Sequence, residues 1–298
     1  MLIIYFTLFI VFLFITRTYK RIVVPKPPPI SKPPMGWNSW TCFKTSFNDK
    51  MIKEIADVMA SDFLDSGYEY LIIDDGWMSL DRDSGGNIQA DPEKFPLGMK
   101  DLGDYIHSKG LKFGIYTSAG RYTCEGYPGA FDFEERDAAK FAEWGVDYVK
   151  IDWCTYKWTW WPFWNYQLRY ELMSKAIQAT GRPMVIALCN WGFGKPWIWG
   201  RKIAHTWRVT YDINPNKFSI YSIAAKGYKL FGYTRPGEYN DLDSLEVGNG
   251  IGTDLAKKQF YWWCTLKSPL ILGCDLRTMS NEDKAIVKNM ELINLNQS

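Results

Sequence analysis

From residue 33 onward, short apolar runs alternate with amphipathic stretches. Tyr70-Leu-Ile-Ile-Asp74 is an apolar run ending in acid. It follows a stretch in which Met51, Ile52, Ile55, Val58, Met59 and Phe63 recur at helical spacing, closed by Gly67. The unit recurs three times. A strand at 112–117 follows a helix at 102–109 and Gly110; one at 147–152 follows 133–144 and Gly145; one at 184–188 follows 171–180 and Gly181. A glycine just past the last helical residue is a common stop, because it adopts a left-handed backbone without a Cβ clash. Residues 35–40, 206–208, 236–240 and 270–273 are four weaker strand candidates. Eight strands joined by right-handed helical crossovers predict an α/β fold, a (β/α)8 TIM barrel rather than an open sheet.

The N-terminus has a different pattern. Residues 2–15 are apolar except for Thr7, and Arg17, Lys20 and Arg21 follow. Residues 1–21 therefore read as a hydrophobic signal or signal-anchor segment, short for a membrane span. The basic residues on its C-terminal side favour a cytoplasmic orientation, against the export reading, so its direction stays open. Residues 22–32 read as an extended Pro-rich linker, and 33–298 as the catalytic barrel. The expected location is secreted, luminal or membrane-anchored, with membrane association through residues 2–15. Asn296-Gln-Ser298 is the one glycosylation sequon.

Composition narrows the chemistry. Of 298 residues, 35 are basic and 33 acidic, a net charge of +2 that gives no surface for tracking phosphates, so nucleic acid is excluded as the main partner. Only His107 and His205 are present, which argues against a His-rich zinc site and a Ser-His-Asp triad. The six cysteines form no CxxC pair, and neither a metal nor an organic cofactor is expected. With 15 Trp, 18 Tyr and 17 Phe, the chain has aromatic rings enough both to fill a core, as for Trp262 and Trp263, and to line a sugar-binding cleft.

In a TIM barrel the C-terminal strand ends face the active site. Here they carry Asp74, Asp75, Tyr116, Lys150, Asp152, Asn190, Arg208, Asp212, Asp241 and Asp243. Lys150 and Asp152, two apart on a strand, share a face. A neighbouring cation favours an ionised carboxylate, as a nucleophile requires, while a second acid kept protonated serves a leaving oxygen. This pattern points to retaining glycoside hydrolysis. Blander roles compete. A strand-end Asp is commonly a turn or cap residue, and a Lys-x-Asp pair is commonly a local ion pair.

Pro33-Pro-Met-Gly-Trp-Asn-Ser-Trp40, Tyr70-Leu-Ile-Ile-Asp-Asp-Gly-Trp-Met78, Gly114-Ile-Tyr116, Tyr148-Val-Lys-Ile-Asp-Trp-Cys154, Trp207-Arg-Val-Thr-Tyr-Asp212 and Asn240-Asp-Leu-Asp243 together resemble glycoside hydrolase family 27, the α-galactosidases (melibiases) and α-N-acetylgalactosaminidases. The resemblance implies Asp152 as nucleophile and Asp212 as acid/base. It implies that Asp74 and Asp75 grip sugar hydroxyls, that Lys150 and Arg208 donate to them, and that Trp40 and Tyr116 wall the pocket. Asp243 would be a further pocket acid, and a Cys124–Cys154 disulfide would set Cys124 at the pocket rim. The other four cysteines are expected to be unpaired.

The departures are also informative. Thr45 and Gly76 replace cysteines frequent in the family, and Ser244 replaces an apolar residue. Cys189-Asn190-Trp191 stands where the family has Cys-Glu-Trp, which places Asn190 at the sugar's second carbon. The family's usual C-terminal antiparallel β domain is not expected. The implied activity is hydrolysis of terminal α-D-galactosyl residues by double displacement, on a galactose-containing oligosaccharide or glycoconjugate. The alternatives are an α-N-acetylgalactosaminidase, an arabinopyranosidase, a non-catalytic sugar-binding barrel, or an aldolase using Lys150 as a Schiff base. Asn190 and bulky Phe193 favour galactose over its acetamido derivative.

Overall fold

In the computed structural model, residues 23–154 and 166–298 are described. The segment read as a signal or anchor, 1–21, lies outside them. Eight parallel strands form one sheet: β1 (Met35–Asn38), β2 (Tyr70–Ile73), β3 (Lys112–Ser118), β4 (Tyr148–Asp152), β5 (Val185–Cys189), β6 (Thr206–Arg208), β7 (Tyr239–Asp241) and β8 (Leu270–Leu272). Their order is β7-β6-β5-β4-β3-β2-β1-β8. The chain just beyond β7 closes the ring. Leu245 bridges Leu272, its N–H donating to Ile271 O at 2.7 Å while Gly273 N–H donates to Leu245 O at 3.1 Å. This is the expected (β/α)8 barrel. All eight expected strands form. β7 starts later than the apolar pattern suggests, because Arg235 and Glu238 pair across a tight turn with Gly237 at φ 80°.

The four predicted helices form as α1 (Asp49–Val58), α2 (Gly98–Ser108), α3 (Glu134–Glu143) and α4 (Tyr166–Ala179). Their closing glycines, 67, 110, 145 and 181, all have positive φ. Four later helices, α5 (Lys217–Leu230), α6 (Thr253–Thr265), α7 (Asn281–Val287) and α8 (Met290–Gln297), are not evident from periodicity. On α5 the exposed Phe218, Tyr221 and Tyr228 blur an inward stripe of Ile220, Ile223, Ala224, Gly227 and Leu230. Among the described residues, no helix is long and apolar enough to cross a membrane.

Inside the barrel, Tyr70, Ile72, Tyr148, Val185, Ala187 and Ile271 form an apolar floor, separate from the larger core around it. Gly36 is required there, since a Cβ would lie 2.0 Å from Tyr70 O. The Pro-rich segment, expected as a spacer, packs beneath this floor. Ile30 touches the floor, Gln178 Nε2 donates to Pro25 O at 2.9 Å, and Tyr239 Oη donates to Ser31 O at 3.3 Å. His205 Nδ1 accepts from Ile186 N–H, so Nε2 carries the proton donated to Pro28 O at 2.9 Å. Lys26 pairs with Glu238. Asn296, of the sequon, is buried and donates to Ser268 O at 3.0 Å.

Candidate active site

The charged groups at the C-terminal mouth hold one another. Lys150 Nζ lies 2.7 Å from Asp74 Oδ2, which also accepts from Asn38 Nδ2 at 2.7 Å. Asp74 Oδ1 accepts the Asp75 N–H at 2.9 Å, and Ser39 Oγ accepts the Asp74 N–H at 2.9 Å. Lys150 and Asp152 share the inward face as expected and Lys150 pulls the Asp152 carboxyl downward, but the ammonium's ion pair is with Asp74. The ammonium crosses to β2, because Lys150 sits one inward step below Asp152, about 7 Å along the strand. Asp75 is buried. Its Oδ2 accepts the Glu125 N–H at 3.0 Å, its Oδ1 has no partner, and burial pushes its carboxyl up to about 7.

Asp152 is buried at the end of β4. Tyr116 Oη donates to its Oδ2 at 3.1 Å, and the Trp153 N–H donates to its Oδ1 at 2.7 Å. Burial raises its carboxyl to about 6 against the pull of Lys150, with Asp212 and Asp74 adding repulsion. Cys124 and Cys154 form a disulfide with Cα atoms 4.9 Å apart, tying the loop after β3 to the end of β4. Their sulfurs and an Asp152 oxygen lie within 4.8 Å of one another, but joined sulfurs offer no thiolate to a metal. Cys42, Cys189, Cys264 and Cys274 are free, as expected.

Arg208, buried on β6, bridges Asp212 at 2.9 Å and Asp243 at 2.6 Å through Nη2. Asp243 has a left-handed backbone, φ 74°, stabilised by three further bonds. Its Oδ2 accepts the Ile213 N–H at 2.8 Å, its Oδ1 accepts the Ser244 N–H at 2.8 Å, and its carbonyl accepts the Trp263 indole at 2.7 Å. It thereby holds the loop that carries Asp212. The Asp212 side chain is 55% exposed. Desolvation pulls its carboxyl upward, but Arg208 and then Lys150 outweigh this and hold it below the usual range. The expected electrostatics are thus reversed in this arrangement: Asp152 is the carboxyl that retains a proton more readily, and Asp212 is held ionised.

Three expected pocket residues sit differently from a simple wall. Tyr116 is buried and supports Asp152 through its hydroxyl. Trp40 is half-buried, its N–H on Asn38 Oδ1 at 2.8 Å, with Lys44 Nζ 4.7 Å from its ring centroid. Asn190 is buried and donates to Phe193 O at 2.6 Å, while its Oδ1 has no partner. Half of its amide therefore serves its own loop. Asn190, Asp212, Trp153, Trp191 and Tyr211 line a cavity of about 780 Å³.

Residue-level reasoning passed over Asn38 and Cys189 and gave Asp241 no role. Asn38 holds Asp74, Cys189 Sγ is 3.7 Å from Arg208 Nη1, and Asp241 Oδ1 accepts the Asp243 N–H at 2.8 Å. Asn38 had a usable signal: it ends β1, two residues after Gly36 on the inward face.

The sequence profile described as alpha galactosidase A matches residues 32–298. Alpha-galactosidase A of Cellvibrio japonicus (strain Ueda107) is 43% identical over 277 residues, covering 89% of this chain and 67% of that one. Alpha-galactosidase of Cyamopsis tetragonoloba is 44% identical over 268 residues, covering 89% and 64%. The crystal structure of alpha-galactosidase I from Mortierella vinacea superposes with a TM-score of 0.85 at 39% identity, covering 89% of this chain and 72% of that one. That of alfa-galactosidase from Saccharomyces cerevisiae with raffinose gives 0.86 at 36%, covering 92% and 66%. The chain spans from 60% to 70% of the length of the curated relatives it matches. With its barrel, its paired carboxylates and this similarity, the chain belongs to the alpha-galactosidase A (melibiase) family, glycoside hydrolase family 27.

Proposed function

We propose that the protein hydrolyses terminal α-D-galactosyl residues of oligosaccharides or glycoconjugates with retention. Asp152 attacks the anomeric carbon while Asp212 gives a proton to the glycosidic oxygen; Asp212 then deprotonates the water that frees galactose. The observation that carries this reading is the presence at one barrel mouth of a buried, hydrogen-bonded carboxylate, Asp152, and a more exposed one, Asp212, held by Arg208. Arg208 also gives the acid a switch. Asp212 can take up a proton once its bond to Arg208 breaks, and Asp243 keeps the guanidinium compensated. Asp74, Lys150 and Asp75 supply acceptors and a donor suited to sugar hydroxyls. Relatives named alpha-galactosidase at 43% and 44% identity support the galactosyl specificity.

The unpartnered Asn190 Oδ1 suits a hydroxyl donor at the sugar's second carbon, and α-galactosides are preferred over α-N-acetylgalactosaminides. The Cys124–Cys154 bridge supports an oxidising location, secreted, luminal or membrane-anchored, with residues 2–15 as signal or anchor. The test is nitrophenol release from α- and β-linked nitrophenyl glycosides, with NMR of the first-formed sugar. The expected outcome is α-galactoside turnover yielding the α-anomer first. A β-anomer product would overturn retention, and a faster acetamido substrate would overturn the specificity.

A further inference from the structure

The floor end of the barrel fixes the point where residue 23 continues the N-terminal segment. Val23 is 83% exposed. Just after it, Gln178 holds Pro25 O and Lys26 pairs with Glu238. Pro29 lies so close to Gly237 that a Cβ there would be 3.1 Å from the Pro29 Cβ. Rings and cations gather around this point. α5 runs from the mouth back to the floor, and one 3-10 turn, Phe231–Tyr233, leads on toward β7. Tyr228, Phe231 and Tyr233 are between 41% and 52% exposed. The Tyr233 ring centroid is 6.4 Å from that of Trp197, and Lys226 Nζ is 5.0 Å from the Trp197 ring. Lys202, Lys229 and Arg235, all exposed, lie at the same end of the barrel, just before β6 or between α5 and β7.

The charge here has one sign. Residues 213–237 include Lys217, Lys226, Lys229 and Arg235 and no acid. Glu238 follows, but it is buried and already pairs with Lys26 and, at 3.1 Å, with Arg201. Among the described residues, no carboxylate pairs with Lys202, Lys229 or Arg235. A merely solvated face needs neither exposed rings nor a single sign of charge. A second copy of the chain is disfavoured, since a two-fold contact would set this basic patch against itself.

We propose that this end of the barrel rests on a membrane surface rich in anionic phospholipid headgroups. The inference rests on residues 2–15 being a segment that enters that membrane. Arg17, Lys20 and Arg21, between that segment and Val23, add to the same charge. From Ile15 to Val23 the chain reaches at most about 28 Å, so an inserted segment keeps the floor end near the lipid. A short apolar segment holds weakly alone, and a basic patch beside it supplies a second contact. Tyrosine rings, apolar in body and polar at one end, suit the headgroup level. Because Asp152 and Asp212 lie at the opposite strand ends, this docking turns the mouth away from the lipid, toward dissolved or surface glycans.

The experiment places the full chain in lipid nanodiscs of phosphatidylcholine, or of phosphatidylcholine mixed with phosphatidylserine, and follows amide hydrogen exchange. Segment 226–238 is expected to exchange about tenfold more slowly on the anionic discs, and the loop carrying Asp212 equally on both. High salt should remove the difference. The triple variant Lys202→Gln, Lys229→Gln, Arg235→Gln changes exposed side chains only. It should lose the protection while α-galactoside turnover stays within about twofold of wild type. Protection that the triple variant retains would overturn the proposal. Protection that follows protein concentration rather than lipid charge would show a second copy on this face and overturn the membrane assignment. Chain that stays with the discs without lipid-dependent protection would overturn the docking alone. Chain that elutes apart from both kinds of disc would overturn the reading of residues 2–15, and this inference with it.

Discussion

The two ends of the barrel use the same strands for opposite purposes. At the N-terminal end Tyr70, Ile72, Tyr148, Val185, Ala187 and Ile271 form an apolar plug, with the Tyr70 and Tyr148 rings 5.6 Å apart. One or two inward steps along, β2 leads to Asp74 and β4 carries Lys150 and Asp152. The charged layer thus stands on an apolar one. A floor that carries no charge neutralises none, so each ion must find partners sideways, on other strands. The resulting pairs are Asp74 with Lys150 and Arg208 with Asp243, while Asp152 takes the Tyr116 hydroxyl. The floor is constrained by volume, and the mouth by mutual charge.

Substitutions at the two ends should therefore separate stability from turnover. The largest effect is expected for Asp152→Asn. It should lower kcat on α-galactosides by about 10⁴-fold, with a melting temperature equal to or above wild type because a buried ion is removed. Retention of a tenth of the activity would remove Asp152 from the chemistry. On the floor, Tyr148→Ala should show the reverse. Urea titration should give a loss of about 3–5 kcal/mol, with kcat per folded molecule nearly unchanged. A collapse of kcat at unchanged stability would erase the distinction between the ends.

A pH series sharpens the comparison further. With Asp212 held below the usual carboxylate range and Asp152 raised to about 6, the singly protonated pair that the reaction needs is lost as pH rises, so kcat/KM should fall through about pH 6. Stability should move the same way. Asp152 at about 6, and Asp75 and Glu246 at about 7, bind protons in the folded protein that the unfolded chain has released by about pH 4–5. Their contribution is complete below about pH 4 and is lost as pH rises through about 6–7. His205, lowered by burial, opposes this, since its contribution is lost as pH falls below its usual range. With three groups against one, the melting temperature should be higher at pH 5 than at pH 7.5. Asp75→Asn and Glu246→Gln should each flatten the slope; a melting temperature that rises toward pH 7.5 would contradict these assignments.

The smallest effect is expected beneath the floor. Ile30→Ala should destabilise by about 1 kcal/mol, the worth of one or two buried methylene groups, and leave kcat unchanged. A kcat change beyond about twofold would show that the Pro-rich segment acts on the mouth through the floor.

Much of the fold was legible because its signals are local. Each helix–glycine–strand unit reports itself within a short window, and the inward alternation on β4 already brings Lys150 and Asp152 onto one face. The site residues were legible as a set, through their positions at strand ends and the family-like motifs around them. Their connections were not. Lys150 pulls on the Asp152 carboxyl as expected, yet its ion pair is with Asp74, 76 positions away in the chain. The Pro-rich segment reads as a spacer because nothing in its composition reveals the apolar floor it covers.

By itself, the sequence determined the eight strands, the first four helix–glycine–strand units and the acids at the strand ends. Only the tertiary structure decided that Leu245 closes the ring, that Arg208 binds Asp212 and Asp243 together, that half of the Asn190 amide is spent on its own loop, and that Asp152 rather than Asp212 is the carboxyl pushed upward. The physical reason is range. Periodicity and capping act over a few residues of chain, whereas ion pairing and desolvation depend on distances across the barrel, which exist only once the strands are closed into it.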